Sequence, residues 1–327
     1  MIRSIQWPLI ALAVLLLVAE PEHASSQSAY VSNFDDNTVS VINTVNDQVT
    51  STIAVGDGPR GVAISPDGCT AYVADYRGNA VSIVDRRTDA GVKLVAVGAH
   101  PKGIAISPDG STIYVADVGS DAVSIIDAHS AKVVANLKVG SEPMAVALSP
   151  DGSRLYVTHS GGDTVRIFDT KARVTVADIR VGASPIPVAL TPSGDRIVIA
   201  NNHGASVSIL DAARLTVLAT VAVGDYPIGI AITPDGSHAF VANNKPGTLS
   251  IIDLKTFAVV ATISAGPYPS GVAISPDGSR LYVSNNTEAT VTFISAATGQ
   301  IVAKVPVGRS PMAFGEFVGQ TECAKAR

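Results

Sequence analysis

The sequence predicts an all-β, seven-bladed β-propeller of four-stranded antiparallel blades, with the last blade closed by strands from both chain ends. Three observations carry this. The turn Ser65-Pro66-Asp67-Gly68 and the strand Tyr72-Val73-Ala74-Asp75 recur every 42 residues, from Ser107, Ser149, Thr191, Thr233 and Ser275. A fixed period near 42 with strand-and-turn chemistry marks propeller blades. Seven such units fill 294 of the 327 positions and leave no room for a second domain. The phase supplies the third: Tyr-Val-type strands fall at 30, 72, 114, 156, 198, 240 and 282, and small-residue strands start near 61, 103, 145, 187, 229, 271 and 313.

Each unit holds four strand-like runs. In the unit starting at Pro59 these are Gly61 to Ser65, Ala71 to Asp75, Val81 to Asp85, and Val92 to Val97. Strands near a propeller axis crowd together, so the run with the smallest side chains is placed innermost as strand A. The Tyr-Val run is then B, the Val-Ser-Ile run C, and the run ending in Gly is D. Strand C alternates, as polar Ser124 in Val123-Ser124-Ile125-Ile126 shows. Because the chain starts on a B strand and ends on an A strand, the seventh blade must combine 29–55 with 312–318. That closure pairs the termini and removes exposed sheet edges.

The turns agree. In Ser-Pro-Asp-Gly the proline presets φ at the first central position, Asp suits the second, and Gly takes the left-handed step. Glycines at 56, 98, 140, 182, 224, 266 and 308 end every D strand, and prolines follow three residues later. Such regularity reads as a sharp step from one blade's rim to the next blade's axis. The Asn or Asp ending each B strand reads first as closing its own turn through an Asx hydrogen bond. Asp85, Asp127, Asp169, Asp211 and Asp253 similarly cap the C-to-D turns.

The N-terminus reads as an export signal over residues 1–26, ahead of a propeller over 27–327. Arg3 supplies positive charge, Leu9 to Ala19 is an unbroken apolar run, and Ala24-Ser25-Ser26 offers small residues for cleavage. Eleven apolar residues are too few to span a bilayer, which takes about 20. A periplasmic or secreted protein without a membrane span after cleavage is therefore expected. The net charge of -5 and the lack of any basic run longer than a pair argue against nucleic acid.

The Tyr-Val-x-Asn/Asp strand, the Ser-Pro-Asp-Gly turn and the Val-Gly-x-x-Pro-x-Gly-Val-Ala step resemble the YVTN-type β-propeller repeat over residues 29–318. The resemblance implies an exported bacterial or archaeal surface-layer propeller. Its broader relatives include the propellers of cytochrome cd1 nitrite reductase and nitrous oxide reductase, and lactonase-like propellers. WD and kelch repeats do not fit, since the one Trp is Trp7 in the leader.

No Cys-x-x-Cys, Cys-x-x-Cys-His, His-Glu-x-x-His or Gly-x-Ser-x-Gly occurs, so no metal, covalent haem or serine-nucleophile motif is predicted. What the topology gathers is a set of polar residues at one end of the ring. D-to-A and B-to-C connections share that end, and the repeating Ser-Pro-Asp-Gly turns lie at the other. The candidate ligand-binding residues there are Arg60, His100, Lys102, His159, His203, Tyr226 and Tyr268. His159 stands where the repeat has Asn or Asp, and His203 lies one blade on. The fourth unit departs from the repeat at Pro187, Ser193 and Val198-Ile199, which is either the mark of a site or drift.

Three functional readings follow. The first is a noncatalytic binding or scaffold propeller presenting this face to a protein or small ligand, with no cofactor. The second, from the resemblance, is a lactonase-like hydrolase, for which a metal ion would be needed. The third, from the same source, is a noncovalent haem or redox-partner role, with His100, His159 or His203 as axial ligand. Finally, Cys69 and Cys323 are the only cysteines. Both are expected at the Ser-Pro-Asp-Gly end in neighbouring blades, where an exported protein would allow a disulfide.

Overall fold

The structure, a computed structural model, describes residues 27–87, 91–313, 315 and 317–320. Seven four-stranded antiparallel sheets make up the ring, and among the described residues the one helical element is a 3-10 turn at Val118–Ser120. Strands are numbered β1 to β28 along the chain. Blade 1 consists of β4 (Pro59–Ile64), β5 (Thr70–Asp75), β6 (Ala80–Asp85) and β7 (Val92–Ala96), paired in that order. Blades 2 to 6 repeat this arrangement over 101–138, 143–180, 185–222, 227–264 and 269–306.

The inside-to-outside order follows side-chain size as expected. Innermost strands of neighbouring blades lie against each other, for instance β4 against β8 (Pro101–Ile106), while the D strands of adjacent blades barely meet. B strands such as β5 are buried along their whole length, and D strands are mostly exposed, with half-buried positions between. The core is therefore a series of layers between adjacent sheets. Ala63, Tyr72 and Val95 of blade 1, for example, pack on Ile104, Ile113 and Ile126 of blade 2. Burial on both faces explains a composition that is 46% hydrophobic but only 5% aromatic.

Blade 7 closes the ring with β1 (Gln27–Asn33), β2 (Thr38–Asn43) and β3 (Gln48–Ala54) from the N-terminal side and β28 (Val318–Gln320) from the other. The closing strand differs from the expected 312–318. Among the described residues, regular pairing with β1 covers 318–320, and the preceding stretch meets β1 through an isolated bridge from Pro311 to Asn33 and single bonds. The Met312 N–H donates to the Ser32 carbonyl at 2.8 Å, and the Tyr30 N–H to that of Phe317 at 2.7 Å. Gly315 breaks the ladder with φ +100°, at a point where a Cβ would lie 2.7 Å from the Val62 carbonyl. Only glycine fits so near the axis with that backbone. The seam is also tied at the surface, by Arg309 to Asp36 at 2.6 Å and the Ser310 hydroxyl to Asp35 at 2.6 Å.

The Asn or Asp at the end of each B strand does not close its own turn. Its side chain reaches across to strand C instead. Asn33, Asn201, Asn243 and Asn285 donate to Ser40, Ser208, Ser250 and Thr292 at 2.6–3.0 Å. Asp75 and Asp117 accept from Ser82 and Ser124 at 2.7 and 2.6 Å. The turn-closing reading fails because these side chains are buried between blades, where strand C hydroxyls are the nearest partners. The aspartates ending strand C do cap their turns, as Asp253 does by accepting from the Lys255 and Thr256 N–H groups. Residues 1–26, where an export signal is expected, lie outside the described residues. No helix among those described is long and apolar enough to cross a membrane.

Candidate functional site

Backbone bonds fix which loops share an end. The first residue of each B-to-C loop donates to the carbonyl of the D-to-A residue beside it, as in Tyr76 to Gly58, Val118 to His100 and Asn244 to Tyr226. At the opposite end, C-to-D turns bond to A-to-B turns, as Arg86 does to Cys69. The polar candidates therefore do face one end.

Each D-to-A step places one residue in the left-handed region just before the proline. Glycine takes that place in blade 1, at Gly58, but the later blades use His100, Glu142, Ser184, Tyr226, Tyr268 and Ser310 with φ between 49 and 56°. A bulky side chain there is strained. The conformation turns His100, Tyr226 and Tyr268 outward, and all three are exposed. Further support comes from the preceding blade, where Asn79 Oδ1 accepts the His100 N–H at 2.9 Å.

The structure brings three of the candidates together. The Arg60 guanidinium sits 4.2 Å from the Tyr76 ring centre and 4.8 Å from that of Phe34. His100 stacks on Tyr76 with centroids 4.8 Å apart and planes at 18°. Arg77 lies over Phe34 at 4.2 Å and pairs with Asp35 at 3.3 Å. Lys102, from the position next to Arg60's in the adjoining blade, is buried at 7% exposure with Nζ 3.9 Å from Met144 Sδ. Burial first, and then the Arg60 charge, push its ammonium down to about 7. Burial likewise lowers Arg60, whose buried Nε meets no hydrogen-bond partner and which forms no ion pair among the described residues. Two cations thus stand side by side at the axial edge of an aromatic shelf. Electron-rich ring faces offset part of that cost.

The other candidates lie apart. His203 meets Tyr226 edge-on at 5.9 Å, with Lys245 6.0 Å from the same ring. Tyr268 stands alone at 49% exposure. His159 is buried in blade 3, and neither ring nitrogen has a hydrogen-bond partner among the described residues. Burial, then the Arg166 charge, depress it to about 4, so its imidazole is neutral. The strand C position that carries Ser in most blades is Arg166 here, which grips Asp178 at 2.6 and 2.8 Å. Blade 3 has exchanged the buried Asx-to-Ser bond for an ion pair, and His159 fills the space left over. Among the described residues no group of His, Cys, Asp and Glu is placed to hold a metal.

Sequence reasoning missed Phe34 and Tyr76. Blades 4 to 6 carry Asn at this place, and Asn202 and Asn244 donate to the Pro227 and Pro269 carbonyls at 3.1 and 2.9 Å. Aligning the units column by column would have shown aromatics in two adjacent blades against asparagine in three.

Along the axis runs a cavity of about 630 Å³, walled by innermost strands and reaching from Lys102 and Met144 to Pro108 and Pro150. Apolar side chains dominate its wall. Among the described lining residues Lys102 is the one charged group.

No protein-family profile matches the chain, and no curated protein does. Solved structures do. The chain is similar to Kuenenia stuttgartiensis hydrazine synthase at 26% identity, over 82% of this chain and 92% of that one, with a TM-score of 0.75. A protein of unknown function from Desulfotomaculum acetoxidans matches at 18% identity, TM-score 0.76, over 88% and 99% of the chains. A periplasmic gluconolactonase from Pseudomonas aeruginosa matches at 19% identity, TM-score 0.73, over 90% and 100%. These likenesses support the seven-bladed fold, and neither named activity carries over with them.

Proposed function

We propose that this chain is an exported YVTN-type propeller that binds a carboxylate-bearing ligand on its D-to-A/B-to-C face, at the shelf built by Phe34, Arg60, Tyr76 and His100. The observation that carries this reading is Arg60. Its guanidinium is desolvated and lies over two aromatic rings, with no carboxylate of the described protein against it. Desolvated cations are costly unless something compensates them. An incoming carboxylate would do so, and charge-assisted bonds to Arg are among the stronger contacts available. His100 and Tyr76 would supply a flat wall for the ligand's apolar part.

Titration calorimetry with a tetraglutamate peptide tests it. Binding that weakens as salt rises, and that falls about tenfold or more in Arg60→Met, the residue Met144 supplies at this place in blade 3, is expected, since a charge-assisted contact contributes roughly 1.5–3 kcal/mol. Equal binding of a tetralysine peptide would sink the reading.

A further inference from the structure

We infer that the shelf is assembled across the seam of the ring, with Asp36 and Ser310 as positioning residues for Phe34, so that ring closure and ligand binding strengthen each other. This rests on the carboxylate reading above and adds the control of that site. The first argument is where the parts come from. Phe34 belongs to the B-to-C loop of blade 7, on the N-terminal side of the seam, whereas Arg60 and Tyr76 come from blade 1 and His100 from the step into blade 2. The loop's other flank is held by the C-terminal side. The Phe34 N–H donates to the Ser310 carbonyl at 3.2 Å, and the Ser310 hydroxyl to Asp35 at 2.6 Å. Arg309 gives its N–H and its Nε–H to the Asp36 carboxylate at 2.7 and 2.6 Å. In blade 1 the same two loops lie 18 positions apart in the chain, at Gly58 and Tyr76. At the seam Phe34 and Ser310 lie 276 positions apart, so noncovalent contacts rather than a short stretch of chain bring them together.

Two relays carry the seam to Arg60. In the first, Asp35 accepts from Ser310 and also from Arg77 Nη2 at 3.3 Å. Arg77 lies over Phe34, and Phe34 faces the Arg60 guanidinium at 4.8 Å. The second relay runs underneath. Met312 donates its N–H to the Ser32 carbonyl at 2.8 Å, and the buried Ser32 hydroxyl donates to the Arg60 carbonyl at 2.6 Å. Magnitudes favour a clasp that yields before the fold does. The Asp35 and Arg309 side chains are 41% and 73% exposed, and exposed ion pairs contribute little one by one. Opening of this loop therefore lies at the low end of the stability range, below loss of the buried layers behind β1. A ligand that needs Phe34 and Arg60 in place binds the closed form better. Linkage then makes it stabilise closure by the same factor.

The test uses the mature protein and the tetraglutamate peptide. Asp36→Ala deletes the acceptor of both Arg309 bonds and also removes a negative charge beside an anion site. Direct electrostatics alone would tighten binding, whereas the seam coupling requires a loss of about fivefold, the low end for linked sites. Ser310→Ala changes no charge and should weaken binding likewise, and Asp36→Glu should restore it. Gly224→Ala is the control, because its Cβ would meet Asn243 at 2.7 Å and disturb a blade contact away from the seam. Its affinity should match wild type. Circular dichroism checks that each variant folds. A second readout needs no ligand. The NMR signal of the Arg60 Nε–H, buried beside the rings, should shift in Asp36→Ala and stay in Gly224→Ala. Affinity that holds or rises in Asp36→Ala, an equal loss in Gly224→Ala, or an Arg60 signal that does not move would overturn the inference. If wild type fails to bind tetraglutamate and the signal still moves, the carboxylate reading falls and the positioning role of the seam stands.

Discussion

Gly56, at the end of one blade's outermost strand, lies directly against Asp75 of the next blade. A Cβ at Gly56 would sit 2.3 Å from the Asp75 carboxylate oxygen. The same approach recurs between Gly98 and Asp117, Gly182 and Asn201, Gly224 and Asn243, and Gly308 and Asn33, at 2.5–2.7 Å. The regular glycine and the regular Asx are thus two halves of one contact, made between blades. Because Asp75 is held by Ser82 it cannot swing aside. Gly56→Ala should cost about 1–3 kcal/mol, the usual range for overpacking. Gly162→Ala, whose Cβ would meet nothing nearer than 3.6 Å, should be close to neutral. Denaturant unfolding of both variants checks the contrast.

The Asx ring also predicts a pH dependence. Burial raises Asp75 to about 7 and Asp117 to about 6, against the bonds from Ser82 and Ser124 that favour the charged form. A raised folded pKa means the native state holds a proton that the unfolded chain has already released. Stability should therefore fall as pH rises from about 4 to about 7, and level off above. At about 1.4 kcal/mol per unit the two groups can account for a few kcal/mol. Asn occupies this place in four other blades, so Asp75→Asn/Asp117→Asn should flatten the decline. Asp109, Asp151 and Asp235, held near 2 chiefly by their turn hydroxyls, act in the opposite sense and only below about pH 4. Unfolding curves at pH 5 and 8 decide it, and a double variant that keeps the slope would count against this account.

The left-handed residues at the D-to-A steps set stability against recognition. His100 stands at φ 56° where blade 1 uses Gly58. A left-handed non-glycine costs roughly 1–2 kcal/mol, and glycine returns about half of that through unfolded-state entropy. His100→Gly should raise stability by up to about 1 kcal/mol while weakening tetraglutamate binding. A destabilised His100→Gly, measured by thermal melting, would show that the stack on Tyr76 outweighs the strain.

Much of this molecule is legible in its sequence because a repeat reports itself seven times. The Ser-Pro-Asp-Gly turns, the strand order and the closure of the ring all follow from spacing and side-chain size. Less legible was anything set between blades. Nothing local in the B strand says that Asn33 or Asp75 faces strand C and a neighbouring glycine. Cation–aromatic stacking of Arg60 on Phe34 and Tyr76 joins two blades, and only topology brings those residues within 5 Å. His159 drew notice as a break in the pattern, yet its burial follows from Arg166 and Asp178, which a reading confined to the loops passes over. The closing strand was misplaced by a few residues because Gly315 departs from the repeat just where the chain meets the axis.

The last prediction concerns Cys69 and Cys323. Cys69 follows the first A-to-B turn, where its N–H donates to Asp67 Oδ1 at 3.0 Å, and it is 7% exposed. Blade 1 adjoins the closing blade, so this turn lies at the end of the ring where the chain finishes its last inner strand. Cys323 itself lies outside the described residues, three positions beyond β28. No cysteine among the described residues is free. We propose that the two pair, fastening the C-terminal tail beside the seam. The closed loop would span 254 positions, for which chain entropy allows roughly 5 kcal/mol as an upper figure. Reduction should then lower the melting temperature, and Cys69→Ser should lower it equally and become insensitive to reductant. Mass spectrometry of unreduced, alkylated protein reads the bond directly. Two alkylated thiols would end the proposal, and the ring would then be closed by noncovalent contacts such as β28, the Arg309–Asp36 pair and the Ser310–Asp35 bond.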